Sequence, residues 1–103
     1  MEYTFITDEI EKTLKDNHTN ADWSTKSIAD DLVVVKYFNP FGAGNWWVYS
    51  MDEYNRMFGI ADIFEPEYGY FMMQDLKDND IERDLYYTPK TFNQVMQKQK
   101  EIR

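Results

Sequence analysis

Between Leu32 and Met73 the chain alternates short apolar runs with turn signals, and this stretch constrains the fold more than any other. LVVVKYF (Leu32 to Phe38), WWVYSM (Trp46 to Met51), RMFGIADIF (Arg56 to Phe64) and YFMM (Tyr70 to Met73) are separated by NPFGAGN, by Asp52 to Asn55 and by the corner EPEYG. Two of the three tryptophans and ten of the fifteen Phe and Tyr side chains lie here. β-Branched and aromatic residues fit a pleated, half-buried surface, and Gly, Pro and Asn clusters break the runs where a sheet turns. The stretch reads as an antiparallel meander of four or five strands that carries most of the core.

The flanks read as helices. Thr7 or Asp8 can cap the first, and Asp8 followed by Glu11 has the form of a capping box. Ile6, Ile10 and Leu14 then make one apolar stripe, which Asn17 to Asn20 ends. From Ala21 to Asp31 the pattern is irregular, with Trp23 and Ile28 as anchors onto the sheet. At the other end, Thr88-Pro89 fits an N-cap followed by Pro at the first helical position, and Phe92, Val95, Met96 and Ile102 follow helical spacing. Gln74 to Asp80 reads as one short helical turn or a loop. Ile81 to Tyr87 reads as extended, with Ile81, Arg83, Leu85 and Tyr87 on one face.

Alternation assigns the strand faces. Val33, Val35 and Tyr37 point one way, and Leu32, Val34 and Phe38 the other. Both faces are apolar except at Lys36, the pattern of a central strand covered on both sides by the terminal helices. In the third run Phe58, Ile60, Asp62 and Phe64 share a face, opposite Met57, Gly59, Ala61 and Ile63. Asp62 is the odd residue there. It sits either at a strand end in water or beside a cation such as Arg56 or Arg83. The expected architecture is a single α+β domain over residues 1–103.

Charge and composition narrow the function. A formal net charge of −8 argues against nonspecific nucleic-acid binding, where Lys and Arg must neutralise phosphates. With no cysteine in the chain, disulfides, thiolate metal sites and a Cys nucleophile are excluded. No apolar run approaches the ~18 residues of a spanning helix, and Met1 is followed by Glu2 instead of a basic leader, so no membrane association and a cytoplasmic location are expected. The single histidine, His18, falls in a polar turn, which leaves no triad and no zinc cluster. The glycines of NPFGAGN belong to a hairpin connection; no Lys-Ser/Thr and no helix follow, as a phosphate loop requires. Asp62, Glu65 and Glu67 are the carboxylates that could hold a divalent cation for hydrolysis, but their surroundings carry no cationic path for a phosphate substrate. No cofactor and no metal are expected, and a non-enzymatic role is preferred.

The charge is unevenly placed. Asp62, Glu65, Glu67, Asp75, Asp78, Asp80, Glu82 and Asp84 outweigh Lys77 and Arg83, so the window from Asp62 to Asp84 carries −6 of the net −8. From Lys90 onward four bases and one acid give +3. The eight acids form a candidate partner-binding surface. Alternate residues on a strand lie ~6.6 Å apart, near the rise of alternate phosphates, so Glu82 and Asp84 could compete with nucleic acid for a basic channel. Phe41, Tyr54 and Tyr68 are candidate aromatic anchors of an interface.

The blocks YFNPFGAGNWW, MFGIADIFEPEYGYF and IERDLYYTPKTF carry a resemblance. In order, they are similar to the pattern of the domain-of-unknown-function family 2958, whose members are common on phages, plasmids and conjugative elements; the match runs from about Tyr37 to Phe92. The length and acidic character also resemble a small anti-CRISPR protein of the type II-A class, a Cas9 inhibitor. That resemblance implies action by binding a Cas9-type effector, with or without its guide RNA. It carries over no binding residues, and the oligomeric state stays open. A non-enzymatic accessory or regulatory protein of a mobile element is the alternative, and a carboxylate-dependent hydrolase the third reading.

Overall fold

A computed structural model describes residues 4–21 and 28–102; Trp23 lies outside them. It has an α+β fold. An N-terminal helix α1 (Asp8–Asn20) and a 3-10 turn (Ile28–Asp30) precede strands β1 (Leu32–Val33), β2 (Val35–Phe38), β3 (Asn45–Met51), β4 (Arg56–Asp62) and β5 (Pro66–Met72). Helix α2 (Met73–Asp78), strands β6 (Glu82–Arg83) and β7 (Lys90–Thr91), and helix α3 (Phe92–Glu101) follow. The five-stranded antiparallel sheet has the order β5-β4-β3-β2-β6, and β1 pairs with β7 in a small second sheet.

Each face of the large sheet has its own core. On one, α1 and α2 bring Leu14, Met73 and Leu76 against Val35, Tyr37, Trp46, Val48, Met51 and Met57. On the other, α3 brings Phe92 and Val95 against Val33, Trp47, Tyr49 and Ile60. Full burial of a side chain such as Leu14 contributes roughly 2 kcal/mol, and the meander can be apolar on both sides because both are covered.

Strict alternation fails at two places, and both failures serve this sandwich. Val33 joins the α3 core while Val35 and Tyr37 join the α1 core, so the single face expected for these three residues is split. The chain breaks strand geometry at Val34, whose N–H donates to the Val48 carbonyl (2.8 Å). The β3 ladder then skips from Val48↔Gly59 to Ser50↔Phe58, leaving Tyr49 as the extra residue of a bulge. The skip returns Met51 to the side of Trp46 and Val48. Gly59 lies opposite the irregularity, where an added Cβ would sit 1.8 Å from the Trp47 carbonyl oxygen; no other residue fits that approach.

The helix ends also depart from expectation. Of the two expected caps Thr7 is the N-cap of α1, its Oγ1 accepting from the Ile10 N–H (3.1 Å), and Asp8 is the first helical residue, so Asp8 and Glu11 do not frame a capping box. The helix continues through Asn20 instead of stopping at Asn17, because Asn17 Nδ2 donates to the Tyr49 carbonyl (2.7 Å) and ties the last turns to the bulge. The third helix begins at Phe92, after Thr91, and not at Pro89. Lys90 and Thr91 stay extended to pair with Val33 and Leu32, and Thr91 with Gln94 forms the capping box. Ile102 is exposed. Gln74 to Asp80 resolves largely into α2, whereas Ile81 to Tyr87 is extended only at Glu82–Arg83. Beyond that point the Asp84 carboxylate accepts from the Tyr86 N–H (2.9 Å) and turns the chain, leaving Leu85 and Tyr86 exposed.

Candidate interaction surface

Hairpin connectivity places three segments at one end of the large sheet. The β2–β3 connection (residues 39–44), the β4–β5 turn (residues 63–65) and the start of β6 lie side by side there, since Phe38 pairs with both Asn45 and Glu82 and Asp62 pairs with both Asn45 and Pro66. Neighbouring hairpin turns are about two strand spacings, ~10 Å, apart. Asn39 shapes the first: its Oδ1 accepts from the Phe41 N–H (3.0 Å) and its Nδ2 donates to the Ala43 carbonyl (3.2 Å). Gly44 closes that connection at φ +131°, against the Trp46 ring. The ring of Phe41 is thereby held outward at 84% exposure, and Phe64 in the next turn is 89% exposed. By strand order Glu65 and Glu67 lie toward the β5 edge of this end and Asp80 and Glu82 toward the β6 edge, with both turns between them; Phe64 shares a hollow with Glu65 and Glu67.

The predicted acidic surface is thus redistributed. Asp62 leaves it altogether: at 1% exposure it is interior, facing α3, where its Oδ2 accepts from Gln99 Nε2 (2.8 Å). A strand end in water does not describe it, because α3 closes over that end of β4. The hydrolytic trio separates for the same reason. Asp62 is buried on the α3 side, while Glu67 projects from the opposite face of the exposed strand β5. Among the described residues no three His, Cys, Asp or Glu side chains come together in metal-holding geometry.

The remaining acids do not form one ridge, since β5 and β6 are the two opposite edges of the sheet. Asp75 and Asp78 lie on the exposed side of α2, Asp78 accepting from Gln74 Nε2 (2.8 Å). Asp84 is half-buried and paired with Lys36 (3.7 Å), which takes it out of play as a free charge. Arg83 reaches the other way, its Nε donating to the Thr4 carbonyl (3.1 Å).

Of the candidate anchors, Phe41 alone stands at the acid-rimmed end. Tyr54 is exposed at the opposite end, in the β3–β4 turn. Tyr68 lies on β5 with its ring 5.1 Å from that of Phe92. Alternation predicts Phe64 on a sheet face with Phe58 and Ile60, but β4 ends at Asp62 and Phe64 falls in the turn. The signal that could have placed it is the turn sequence directly after it, Glu65-Pro66.

Two of the hollows on the described surface carry charged linings. A cleft of about 450 Å³ between the end of α1 and the β3–β4 turn is lined by Lys15, His18, Asp52, Tyr54 and Arg56. Asp52 has a structural task there. Its Oδ1 accepts from the N–H groups of Tyr54 and Arg56 (2.9 Å each), and the Arg56 N–H bond is the chief cause that holds its carboxyl below the usual range. A smaller hollow of about 210 Å³ on the α3 side gathers Lys36, Lys90 and Lys98 around Trp47 and Tyr87. The molecule therefore presents an acid-rimmed apolar tip at one end and a lysine-lined hollow on one face.

Comparison with known families gives one match. The family described as "Protein of unknown function (DUF2958)" matches residues 5–94, and the chain belongs to it. No curated protein and no solved structure matches significantly. Among the described residues no helix is long and apolar enough to cross a membrane.

Proposed function

We propose that this member of the DUF2958 family acts by binding a protein, and that its target is a Cas9-type effector whose nucleic-acid channel is basic. The observation that carries this reading is the tip itself: Phe41 and Phe64, 84% and 89% exposed, stand between Glu65 and Glu67 on one side and Asp80 and Glu82 on the other. Exposed aromatics are favoured anchors of interfaces, because a large rigid ring gains burial at little entropic cost. An acid rim steers the tip toward basic surfaces and is repelled by nucleic acid. Effectors of this class hold their heteroduplex in a positively charged channel and read their short DNA motif with arginines, so an acidic, aromatic tip is matched to them in both charge and chemistry.

The test is DNA cleavage by a purified type II-A Cas9–guide complex with this protein in excess. Cleavage is expected to fall, and to recover when Phe41→Ala and Phe64→Ala are combined, with the inhibition weakening as salt is raised. Full cleavage across several such enzymes would overturn the Cas9 target and direct the same tip to another protein of a mobile element, found by capture from the native host.

A further inference from the structure

The two edges of the large sheet are finished differently. At the β6 edge the strand is short, and Arg83 and Asp84 are engaged with Thr4 and Lys36. Strand β5, seven residues long, forms the other edge, and among the described residues no backbone group bonds to its outer side.

Which groups face outward follows from two bonds of β4. The Arg56 carbonyl accepts from the Asp52 N–H (3.0 Å) on the β3 side, and the Asn55 carbonyl accepts from the Met73 N–H (3.1 Å) on the β5 side. Backbone groups of a strand alternate between its neighbours, so the odd-numbered residues of β4 bond to β5. The register Met57↔Phe71, Gly59↔Gly69, Ala61↔Glu67 then turns residues 67, 69 and 71 inward. Residues 66, 68, 70 and 72 offer their backbone groups to solvent. Pro66 has no N–H to offer. Met72 is the N-cap of α2, so its carbonyl already accepts the first bond of that helix. The open edge therefore offers N–H groups at Tyr68, Tyr70 and Met72 and carbonyls at Pro66, Tyr68 and Tyr70.

We infer that β5 pairs antiparallel with β5 of a second copy of this chain about a two-fold axis through Gly69. In that register the Tyr68 N–H donates to the carbonyl of the partner's Tyr70, Tyr70 to that of the partner's Tyr68, and Met72 to that of the partner's Pro66. Every open donor finds an open acceptor. The missing donor of Pro66 falls opposite the one carbonyl already spent, that of Met72. Side chains agree with the backbone. On the α3 face Tyr68 meets Tyr70, an aromatic cross-strand pair, and Pro66 meets Met72; Tyr68, Tyr70 and Met72 are all exposed in the single chain. On the other face Glu67 lies opposite Phe71, so the two Glu67 carboxylates do not meet, and Gly69 lies opposite Gly69. An exposed edge of this length is a template for another strand unless something blunts it, and this edge is self-complementary. Two copies at −8 each repel, so association strengthens as salt screens them.

Gly69 gives the test. An added Cβ there meets no atom within 4 Å and its φ is not in the left-handed region, so the single chain accepts a side chain at this position. Across the two-fold it would face its own copy. Sedimentation velocity from about 1 µM to about 1 mM should show a wild-type dimer that tightens with salt. Gly69→Glu and Gly69→Lys should each sediment as monomers with unchanged circular dichroism, because like charges meet at the axis. An equimolar mixture of the two should recover the dimer. A wild-type chain that is monomeric throughout, or a Gly69→Glu chain that dimerises as the wild type does, overturns the pairing. A mixture that stays monomeric overturns the register.

Discussion

The two faces of the central sheet are built from different materials. The α1 side is mostly aliphatic and methionine-rich, with Leu14, Val48, Met51 and Met57 fully buried and Met73 and Leu76 nearly so. The α3 side is aromatic, with Trp47, Tyr49 and Phe92 at its centre, and it encloses the Asp62 carboxylate with its Gln99 donor. Methionine adapts to irregular gaps, which suits the side where two helices must meet one sheet. Aromatic rings pack at fixed tilts, Tyr49 against Phe92 at 5.5 Å and Tyr68 against Phe92 at 5.1 Å, and so hold one short helix in one place. The difference teaches that the two layers are specified separately, one by volume and one by orientation.

The largest effect should come where both layers share a backbone contact. Gly59→Ala drives a Cβ into the Trp47 carbonyl at 1.8 Å. Denaturant unfolding should show a loss of at least about 3 kcal/mol, the upper range for overpacking. The layers are then compared directly by truncating their helix anchors. Phe92→Ala should lose about 3–5 kcal/mol and Leu14→Ala about 2–5, with the near-ultraviolet circular dichroism falling more for Phe92→Ala because its aromatic neighbours lose their fixed tilts. A smaller effect isolates the polar feature of the α3 side: Gln99→Ala removes a donor from the buried Asp62 carboxylate and should cost about 1–3 kcal/mol in denaturant unfolding.

The smallest effect is a pH dependence. Burial pushes the Tyr87 phenol up from 10.0 to about 12, against the pull of the Lys90 N–H. The unfolded chain loses that proton first, so the stabilisation is intact below pH 10 and is lost as pH rises from about 10 to about 12. Tyr87→Phe also removes the hydroxyl that donates to the Val33 carbonyl (2.7 Å). It should cost about 1 kcal/mol at neutral pH, and the gap from wild type should narrow above pH 10. An unchanged gap across that range would separate the phenol from the pH response.

Much of this architecture was legible because period and punctuation agree. The runs from Leu32 to Met73 became β1 to β5, and an apolar pattern on both faces announced two covering helices. What was not legible depends on contacts distant in sequence. The break at Val34 and the bulge at Tyr49 answer to Val48 and Gly59 across the sheet, and no local signal in LVVVKYF shows that Val33 and Val35 will part. Thr88-Pro89 looked like a helix start and lost to the pairing of Lys90 with Val33. The same holds for the surface. Phe41 was readable from its Asn-Pro-Phe-Gly turn, whereas Phe64 was hidden by an alternation that outran its strand. Asp62 stands out in the sequence as out of place, but the Gln99 amide that donates to it lies on a helix 37 residues away.

Trp46 and Trp47, consecutive in β3, belong to opposite cores. One peptide bond therefore joins two fluorophores that report on different layers, with Lys36 Nζ 5.4 Å from the Trp47 ring. With Trp23 also changed to Phe, replacing either by Phe leaves a probe for the other layer. Because the strand between them cannot dissolve for one helix and persist for the other, both emissions should change at a single midpoint as denaturant is raised. Two helices far apart along the chain thus share one cooperative fate through adjacent residues.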